Sequence, residues 1–182
     1  MAILPILEAP HPVLSKKARR VEPGEFGPGL AQLLEDMAET MYAAPGVGLA
    51  APQVGDGRRI LVADPGFQDE DGETRKGIHI LKMVNPEIVE RSTDFIDWEE
   101  SCLSVPEYSL DVRRSRRIRV TWQDEAGASQ EQVFEDFAAV VMQHEMDHLE
   151  GVTLLERSSR LRRSRYLSRA RKARGPDALP AR

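Results

Sequence analysis

The sequence predicts an α+β fold whose sheets are mostly antiparallel. Helical periodicity marks one segment near the start of the chain and one near its end. Several segments between them read as β-strands, by apolar runs or by alternation. The order of helix, strands and helix is typical of the α+β class rather than of alternating α/β folds. The length of 182 residues fits one domain of ordinary size, with a core that needs no disulfides.

The N-terminal part up to Pro28 is rich in proline and glycine and is predicted to be mostly irregular. An amphipathic helix follows, because apolar residues recur at steps of three and four: Leu30, Leu33, Leu34, Met37 and Met41. Pro45 and Gly46 end this helix. The segment 46–55 is unusual for a surface loop because it combines glycine with apolar residues.

The middle of the chain predicts strands at residues 59–63, 79–84, 87–91 and 117–123. Asn85 and Pro86 are predicted to form a turn between the second and third of these. Residues 64–77 are polar and predict a hairpin or a loop. A further short strand is predicted to close at Val133 and Phe134.

A second helix is predicted from about residue 135 to 150, and Gly151 ends it. One face of this helix carries residues spaced at i, i+3, i+4, i+7 and i+11: Phe137, Val140, Val141, His144 and His148. Two histidines therefore lie on an otherwise apolar stripe.

Histidines four residues apart on a helix can reach one metal ion. Glu145 lies one step round the helix, where it can stand beside the metal without binding it. This H-E-x-x-H pattern is the arrangement of metal hydrolases, in which the glutamate is the general base. The alternative is a pair of buried, hydrogen-bonded histidines.

A catalytic site usually has a third protein ligand, and the candidates are Cys102 and the many acidic residues of the chain. The alternative for Cys102 is a small buried hydrophobe.

Composition excludes several classes of protein. Apolar residues make up 41% and charged residues 30%, and no run approaches the roughly 20 apolar residues of a transmembrane helix. A single cysteine excludes an intramolecular disulfide. The N-terminus lacks the charged-then-apolar pattern of a signal peptide. We therefore expect a soluble protein of a reducing compartment, the cytoplasm, that binds no membrane.

The net charge of -5 averages two opposite parts. Residues 157–182 hold ten basic residues and one acid, a net charge of +9, whereas residues 1–156 hold 15 basic and 29 acidic residues, a net charge of -14. We therefore predict a catalytic domain over 1–156 and a basic C-terminal extension over 157–182, helical to about residue 173. Such asymmetry indicates an anionic partner for the tail, although a solvated charged helix is the alternative.

Three segments together resemble the signature motifs of the peptide deformylases. They are GVGLAAPQ at 46–53, ESCLS at 100–104 and QHEMDHL at 143–149, in the family's order and spacing. The resemblance spans about residues 3–156. It implies a metal-dependent hydrolase that removes the formyl group from the N-terminal formylmethionine of nascent polypeptides and releases formate.

The resemblance also implies a role for each motif residue. The metal ligands are Cys102, His144 and His148, and Glu145 carries the proton. The Gln53 side chain and the Leu103 backbone N–H are the donors to the formyl oxygen. A surface amide is the alternative for Gln53. The implied partners are formyl-Met nascent peptides and the ribosome, which the basic tail would contact; DNA is not expected.

The substrate side chain is expected to meet Val47, Val140 and Val141, for which plain core packing is the alternative. Gly46 and Gly48 would bring the loop backbone close to the substrate, or simply form a turn. The Cys/His₂ set alone suggests zinc, whereas the resemblance implies Fe²⁺, with zinc or nickel as replacements.

Ser101 departs from the family pattern, in which glycine commonly precedes the cysteine. Either the backbone angles there are ordinary, or the loop is rearranged. Glu100 and Asp147 could orient a ligand or form structural salt bridges. The rival classes are a general zinc protease, which would need neither of the other two motifs, and a non-catalytic relative, which would be expected to lose Glu145 or a ligand.

Overall fold

The computed structural model describes residues 2–68, 74–75 and 80–174. It confirms the α+β class with antiparallel sheets. The helices are α1 Pro28–Ala43, α2 Asp136–Leu149, α3 Leu154–Arg157 and α4 Arg160–Arg174. The strands are β1 Gly48–Ala50, β2 Ile60–Ala63, β3 Phe67–Gln68, β4 Thr74–Arg75, β5 Leu81–Arg91, β6 Phe95–Cys102, β7 Val105–Ser115, β8 Arg117–Gln123 and β9 Ser129–Glu135.

Five strands form the main sheet in the order β1-β2-β5-β8-β9, and every neighbouring pair is antiparallel. Alternate residues of β2 point to opposite faces of this sheet. Leu61 packs in the cluster that contains α2, and Ile60 packs in the cluster that contains α1. Both faces of β2 are therefore covered, which explains why the segment is continuously apolar.

The first helix agrees with its prediction. α1 begins at Pro28 and ends at Ala43, just before Pro45 and Gly46. Two short 3-10 turns interrupt the irregular N-terminal part, at Pro12–Ser15 and Pro23–Glu25.

The prediction of two strands around a turn at Asn85-Pro86 is wrong. β5 is one strand whose pairing with β8 shifts register between Val84 and Glu87. Asn85 adopts a left-handed φ of 53° there, and its side chain donates to the Val21 carbonyl at 2.9 Å. This partner lies 64 residues away in sequence, so local patterning does not reveal it. Residue 79, where one strand was predicted to begin, and half of the predicted 64–77 hairpin or loop (69–73 and 76–77) lie outside the described residues.

The hairpin β6–β7 and the short α3 have no counterpart in the sequence prediction, and β9 is longer than predicted. Most side chains of β6 are exposed, so it lacks the apolar alternation that marks a strand. α4 lies where the sequence predicts a basic helix. Among the described residues, no helix is both long and apolar enough to span a membrane.

Candidate metal centre

Two elements bring three ligand-type side chains together. α2 carries His144 and His148, and β6 ends at Cys102, where the ladder with β7 is irregular: Ser101 pairs with Ser109, but Cys102 pairs with Val105. One donor atom from each of Cys102, His144 and His148 lies within 4.8 Å of the others. The sulfur of Cys102 is 3.2 Å from Nε2 of His148. The histidines thus face a common point rather than packing as isolated buried residues.

This donor set fits a divalent ion. A thiol and two imidazoles are common ligands of transition metals, and three protein donors leave a position for a small molecule. The carboxylate of Glu100 lies 2.7 Å from Nδ1 of His144 and so leaves Nε2 of that ring for a ligand. A carboxylate on the second nitrogen is the usual support of a metal-binding histidine.

The surroundings of Cys102 favour the thiolate form of its side chain. Burial opposes a charge on the Cys102 sulfur, but the adjacent imidazoles of His148 and His144 outweigh it and lower the thiol pKa to about 5. The thiolate is the form of cysteine that binds metals. The alternative of an inert buried hydrophobe does not fit this environment.

Glu145 is buried beside the cluster, and among the described residues its Oε2 has no hydrogen-bond partner. Burial raises the pKa of this carboxyl group, although the neighbouring histidines oppose the shift. A carboxylate with a raised pKa and a free oxygen is suited to accept a proton near neutral pH.

Gly48 makes room for this carboxylate. A Cβ at that position would lie 2.7 Å from both Cγ and Cδ of Glu145, closer than side chains tolerate. A side chain at residue 48 would therefore force the Glu145 side chain to shift.

A network of charged side chains supports His144, with Arg114 and Glu100 buried and Asp147 and Arg157 progressively more exposed. Arg114 of β7 donates from Nε to Glu100 at 2.7 Å and from Nη1 to Asp147 at 2.7 Å. Asp147 also accepts two bonds of 2.6 Å from Arg157. Glu100 and Asp147 thus belong to one salt-bridge network, and Glu100 orients His144 as well. Sequence reasoning missed Arg114 because it missed the hairpin that carries it.

Gln53 is buried, so the alternative of a surface amide is wrong. Its Oε1 accepts from the Ala50 N–H at 2.8 Å, which turns Nε2 toward Ser104 Oγ at 3.2 Å and the Cys102 sulfur at 3.8 Å. Leu103 forms the tip of the β6–β7 turn between Cys102 and Ser104. The two residues predicted to donate to the formyl oxygen, Gln53 and Leu103, therefore both lie beside the cluster.

A cavity of about 760 Å³ opens onto the cluster. Its walls include every predicted substrate-binding and catalytic residue: Gly46, Val47, Gly48, Gln53, Leu103, Val140, Val141 and Glu145. Val141 also packs in the core cluster of α2, so this residue both lines the cavity and forms part of the core.

Sequence reasoning did not assign three aromatic residues of this wall: Trp98, Tyr108 and Phe137. The rings of Trp98 and Phe137 stand 5.2 Å apart. Phe137 lies on the apolar face of α2, and this position in the sequence pattern could have indicated that it lines the cavity. Trp98 and Tyr108 lie on the unpredicted hairpin. An aromatic residue among polar neighbours is the one feature of the sequence that could have indicated a binding role for them.

Ser101 adopts ordinary strand angles and pairs with Ser109, so the loop needs no rearrangement to accommodate it. The strained position of the hairpin is Glu107, whose φ of 57° lies in the left-handed region.

Comparison with known proteins decides the family. Residues 3–164 match the family model described as polypeptide deformylase. The chain belongs to the polypeptide deformylase family. Among curated relatives, a peptide deformylase from Zymomonas mobilis is 42% identical over 174 residues, which cover 96% of each chain. One from Caulobacter vibrioides is 45% identical over 145 residues, or 80% of each chain.

Solved structures of deformylases share the fold. The peptide deformylase from Ehrlichia chaffeensis, solved in complex with actinonin, gives a TM-score of 0.85 at 34% identity and covers 95% of this chain and 98% of that one. The enzyme from Thermotoga maritima gives 0.78 at 40% identity, with 87% and 99% covered.

Family membership confirms the resemblance in the three motifs and carries the activity with it. The chain hydrolyses the formyl group from the N-terminal formylmethionine of peptides and releases formate. The family is metal-dependent, and in this chain Cys102, His144 and His148 form a cluster that could hold a metal ion.

Proposed function

We propose that Cys102, His144 and His148 hold one divalent metal ion and that Glu145 is the general base of deformylation. Convergence of three donor atoms within 4.8 Å beside a buried carboxylate carries this proposal. In it α2 is the metal-bearing helix. Bound at these ligands, a divalent ion supplies Lewis acidity that lowers the pKa of water from 15.7 toward about 7.

Glu145 accepts the proton of the attacking water and returns it to the departing amine. Its free Oε2 and its raised pKa suit both steps. The attack places negative charge on the formyl oxygen. The Nε2 amide of Gln53 and the backbone N–H of Leu103 donate to that oxygen, and losing one such donor typically costs about 10²–10³ in rate.

The methionine side chain occupies the apolar part of the cavity. Val47, Val140 and Val141 form its wall, and the backbone at Gly46 and Gly48 lies beside the substrate. An apolar wall with few polar groups is the usual construction of a small-molecule site.

The central experiment compares formate release and metal content for wild type, Glu145→Ala and the control Glu131→Ala, an exposed acid on β9. We expect Glu145→Ala to keep its metal and to lose about 10²–10⁴ in kcat, while Glu131→Ala stays at wild-type values. A peptide without the formyl group tests internal cleavage, and none is expected. Equal activity in wild type and Glu145→Ala would refute the assignment.

We propose Fe²⁺ as the native ion, with zinc or nickel as replacements, since the family resemblance implies it. A thiolate-bound ferrous ion is sensitive to oxidation. Enzyme prepared with iron should lose activity in air within hours and keep it after exchange to nickel. Iron enzyme that stays fully active in air for days contradicts this choice.

We further propose that residues 1–156 are the catalytic domain, that residues 157–182 contact ribosomal RNA, and that the protein works in the cytoplasm on nascent chains. The excess of +9 in the tail supports RNA as its partner. Deletion of residues 158–182 should abolish co-sedimentation with ribosomes at low salt. Unchanged binding would exclude the tail as the contact.

A further inference from the structure

α4 presents two separate rows of arginine. Arg162, Arg165 and Arg169 recur at steps of three and four and so share one side of the helix. Arg160 and Arg171, which are three turns apart, share a different side. Between the two rows runs the side of α4 that packs on the protein, with Tyr166 buried.

Aromatic contacts fix this helix against the catalytic hairpin. The ring of Tyr166 meets the ring of Tyr108 edge-on, with centroids 5.5 Å apart. The Tyr108 hydroxyl donates to Ser158 Oγ at 2.6 Å, just before α4 begins. Tyr108 itself lines the active-site cavity. The helix is therefore anchored on a wall of the site rather than at a distance from it.

The row formed by Arg162, Arg165 and Arg169 borders a groove that shares a wall with the cavity. Its opposite wall is Glu107, Tyr108 and Ser109, and these three residues also line the active-site cavity. The cavity and this groove therefore adjoin at Tyr108. The row of Arg160 and Arg171 borders a groove that shares no residue with the cavity.

The charges of the groove are unbalanced. The three arginines are exposed, and none forms an ion pair within the described part of the chain. One acid, Glu107, faces them. Closer to the metal cluster the sign reverses, because Glu99 and Glu107 line the cavity and no arginine does. The cavity therefore has an acidic lining, and the adjoining groove has an excess of positive charge.

We propose that Arg162, Arg165 and Arg169 form a specificity site for acidic side chains of the formyl-Met peptide, several residues downstream of the methionine. The proposal rests on the deformylase activity above and adds a preference along the chain of the substrate. Carboxylates near the methionine gain nothing, whereas carboxylates that reach the arginine row gain charge-assisted hydrogen bonds. For this row, as distinct from the rest of the basic tail that we assign to RNA, the wall shared with the cavity favours the substrate as the occupant.

The test uses formyl-Met octapeptides in which an Asp-Asp pair is moved from residues 2–3 to 4–5 and to 6–7, with Asn-Asn and Lys-Lys peptides as references. Wild type should show no gain for Asp-Asp at 2–3 and about a three- to tenfold gain in kcat/KM over Lys-Lys at one of the later positions. The gain should fall in 0.5 M salt, because exposed charges are screened.

Matched variants assign the effect to one row. Arg165→Gln/Arg169→Gln should abolish the Asp-Asp gain, and Arg160→Gln/Arg171→Gln, which removes the same charge, should retain it. Formyl-Met-Ala-Ser, too short to span the groove, should be cleaved equally by all three proteins. Its cleavage shows that deformylation stands even if the specificity site fails.

Two outcomes would overturn the proposal. One is an Asp-Asp gain that is absent at every position or equal in both double variants. The other is ribosome co-sedimentation lost only in Arg165→Gln/Arg169→Gln with peptide preference unchanged, which would assign the row to RNA.

Discussion

α2 and α4 are of similar length and both carry polar side chains to which we assign a role in function, yet they are built in opposite ways. The polar groups of α2 are buried or half-buried, and most have a specific partner: His144 with Glu100, and Asp147 with Arg114 and Arg157. α4 is exposed except along one seam, and most of its arginines form no ion pair among the described residues.

This difference determines how substitutions act. Removing one partner of a buried ion pair costs several kcal/mol of stability, because the remaining charge is neither paired nor solvated by water. An exposed charge contributes about 0–1 kcal/mol and is screened by salt. Changes around α2 should therefore be large and coupled, and changes on α4 small and independent.

Arg114→Met should have the largest effect. It leaves the buried Glu100 carboxylate without its arginine and takes from the half-buried Asp147 one of its two arginine partners, so we expect a loss of about 3–5 kcal/mol in the free energy of unfolding. Denaturant unfolding measures it. Arg116→Met is the control, because its pairs with Asp94 and Asp136 are exposed and should contribute less than about 1 kcal/mol.

The same network predicts a pH dependence. Burial opposes the charge on Asp147, but Arg157 and Arg114 outweigh it and hold its pKa below the ordinary value of 3.8. A lowered pKa stabilises the fold above the ordinary value, and this contribution disappears as pH falls through the folded pKa. Arg114→Met should therefore lose less stability than wild type when the pH is taken below 4. An identical acid slope in both proteins would show that the network does not control it.

Gln53→Ala tests the donor beside the cluster. Because the amide acts on charge that develops in the transition state, kcat should fall by about 10²–10³ with little change in KM. Ser104→Ala keeps the Gln53 amide and removes only its partner, so a much smaller decrease is expected. Comparable losses in the two variants would mean that Gln53 acts by packing.

Three glycines form a graded series of intermediate effect. At Gly48 a Cβ would meet Glu145 at 2.7 Å, at Gly46 it would meet Leu103 Cδ1 at 3.1 Å, and at Gly57 nothing lies within 4 Å. Gly48→Ala should displace the general base and lower kcat/KM by about 10²-fold with metal retained. Gly46→Ala should have a smaller effect and Gly57→Ala none. Any other order of kcat/KM would contradict the assigned crowding.

The same contrast explains what the sequence could predict. α1 and α2 were predictable because each has an apolar face of helical period, and the motif residues fall on that face or beside Pro and Gly breaks. The cluster was predictable because its histidines are local neighbours on one helix. Its third ligand came from the resemblance, since Cys102 lies 42 positions before His144 and no local pattern joins them.

The features that the sequence did not predict depend on contacts between distant segments. The hairpin β6–β7 exposes most of its residues and turns at Leu103-Ser104, without the Gly or Asn that marks a tight turn. The bulge at Asn85 is stabilised by Val21, far away in the sequence. The hairpin also carries Arg114, Trp98 and Tyr108, so missing one element removed three residues from the predicted site.

The smallest effect on catalysis is expected on α4. Tyr166 is its buried anchor, whereas Leu161 is 61% exposed. Tyr166→Ala should release the helix: amide hydrogen exchange over residues 160–172 should accelerate strongly, while α2 stays protected, because local opening need not unfold the body. Leu161→Ala should change neither.

With α4 released, kcat/KM for formyl-Met-Ala-Ser should stay within about twofold of wild type, because none of the proposed metal ligands and neither Glu145 nor Gln53 lies on α4, and local opening of one helix need not move them. Tyr166 nevertheless packs in the same apolar cluster as Cys102 and Val105. If Tyr166→Ala speeds metal release or lowers activity on the short peptide by tenfold, α4 helps to hold the metal ligand. The boundary at residue 156 would then be wrong, and the basic helix would belong to the catalytic domain.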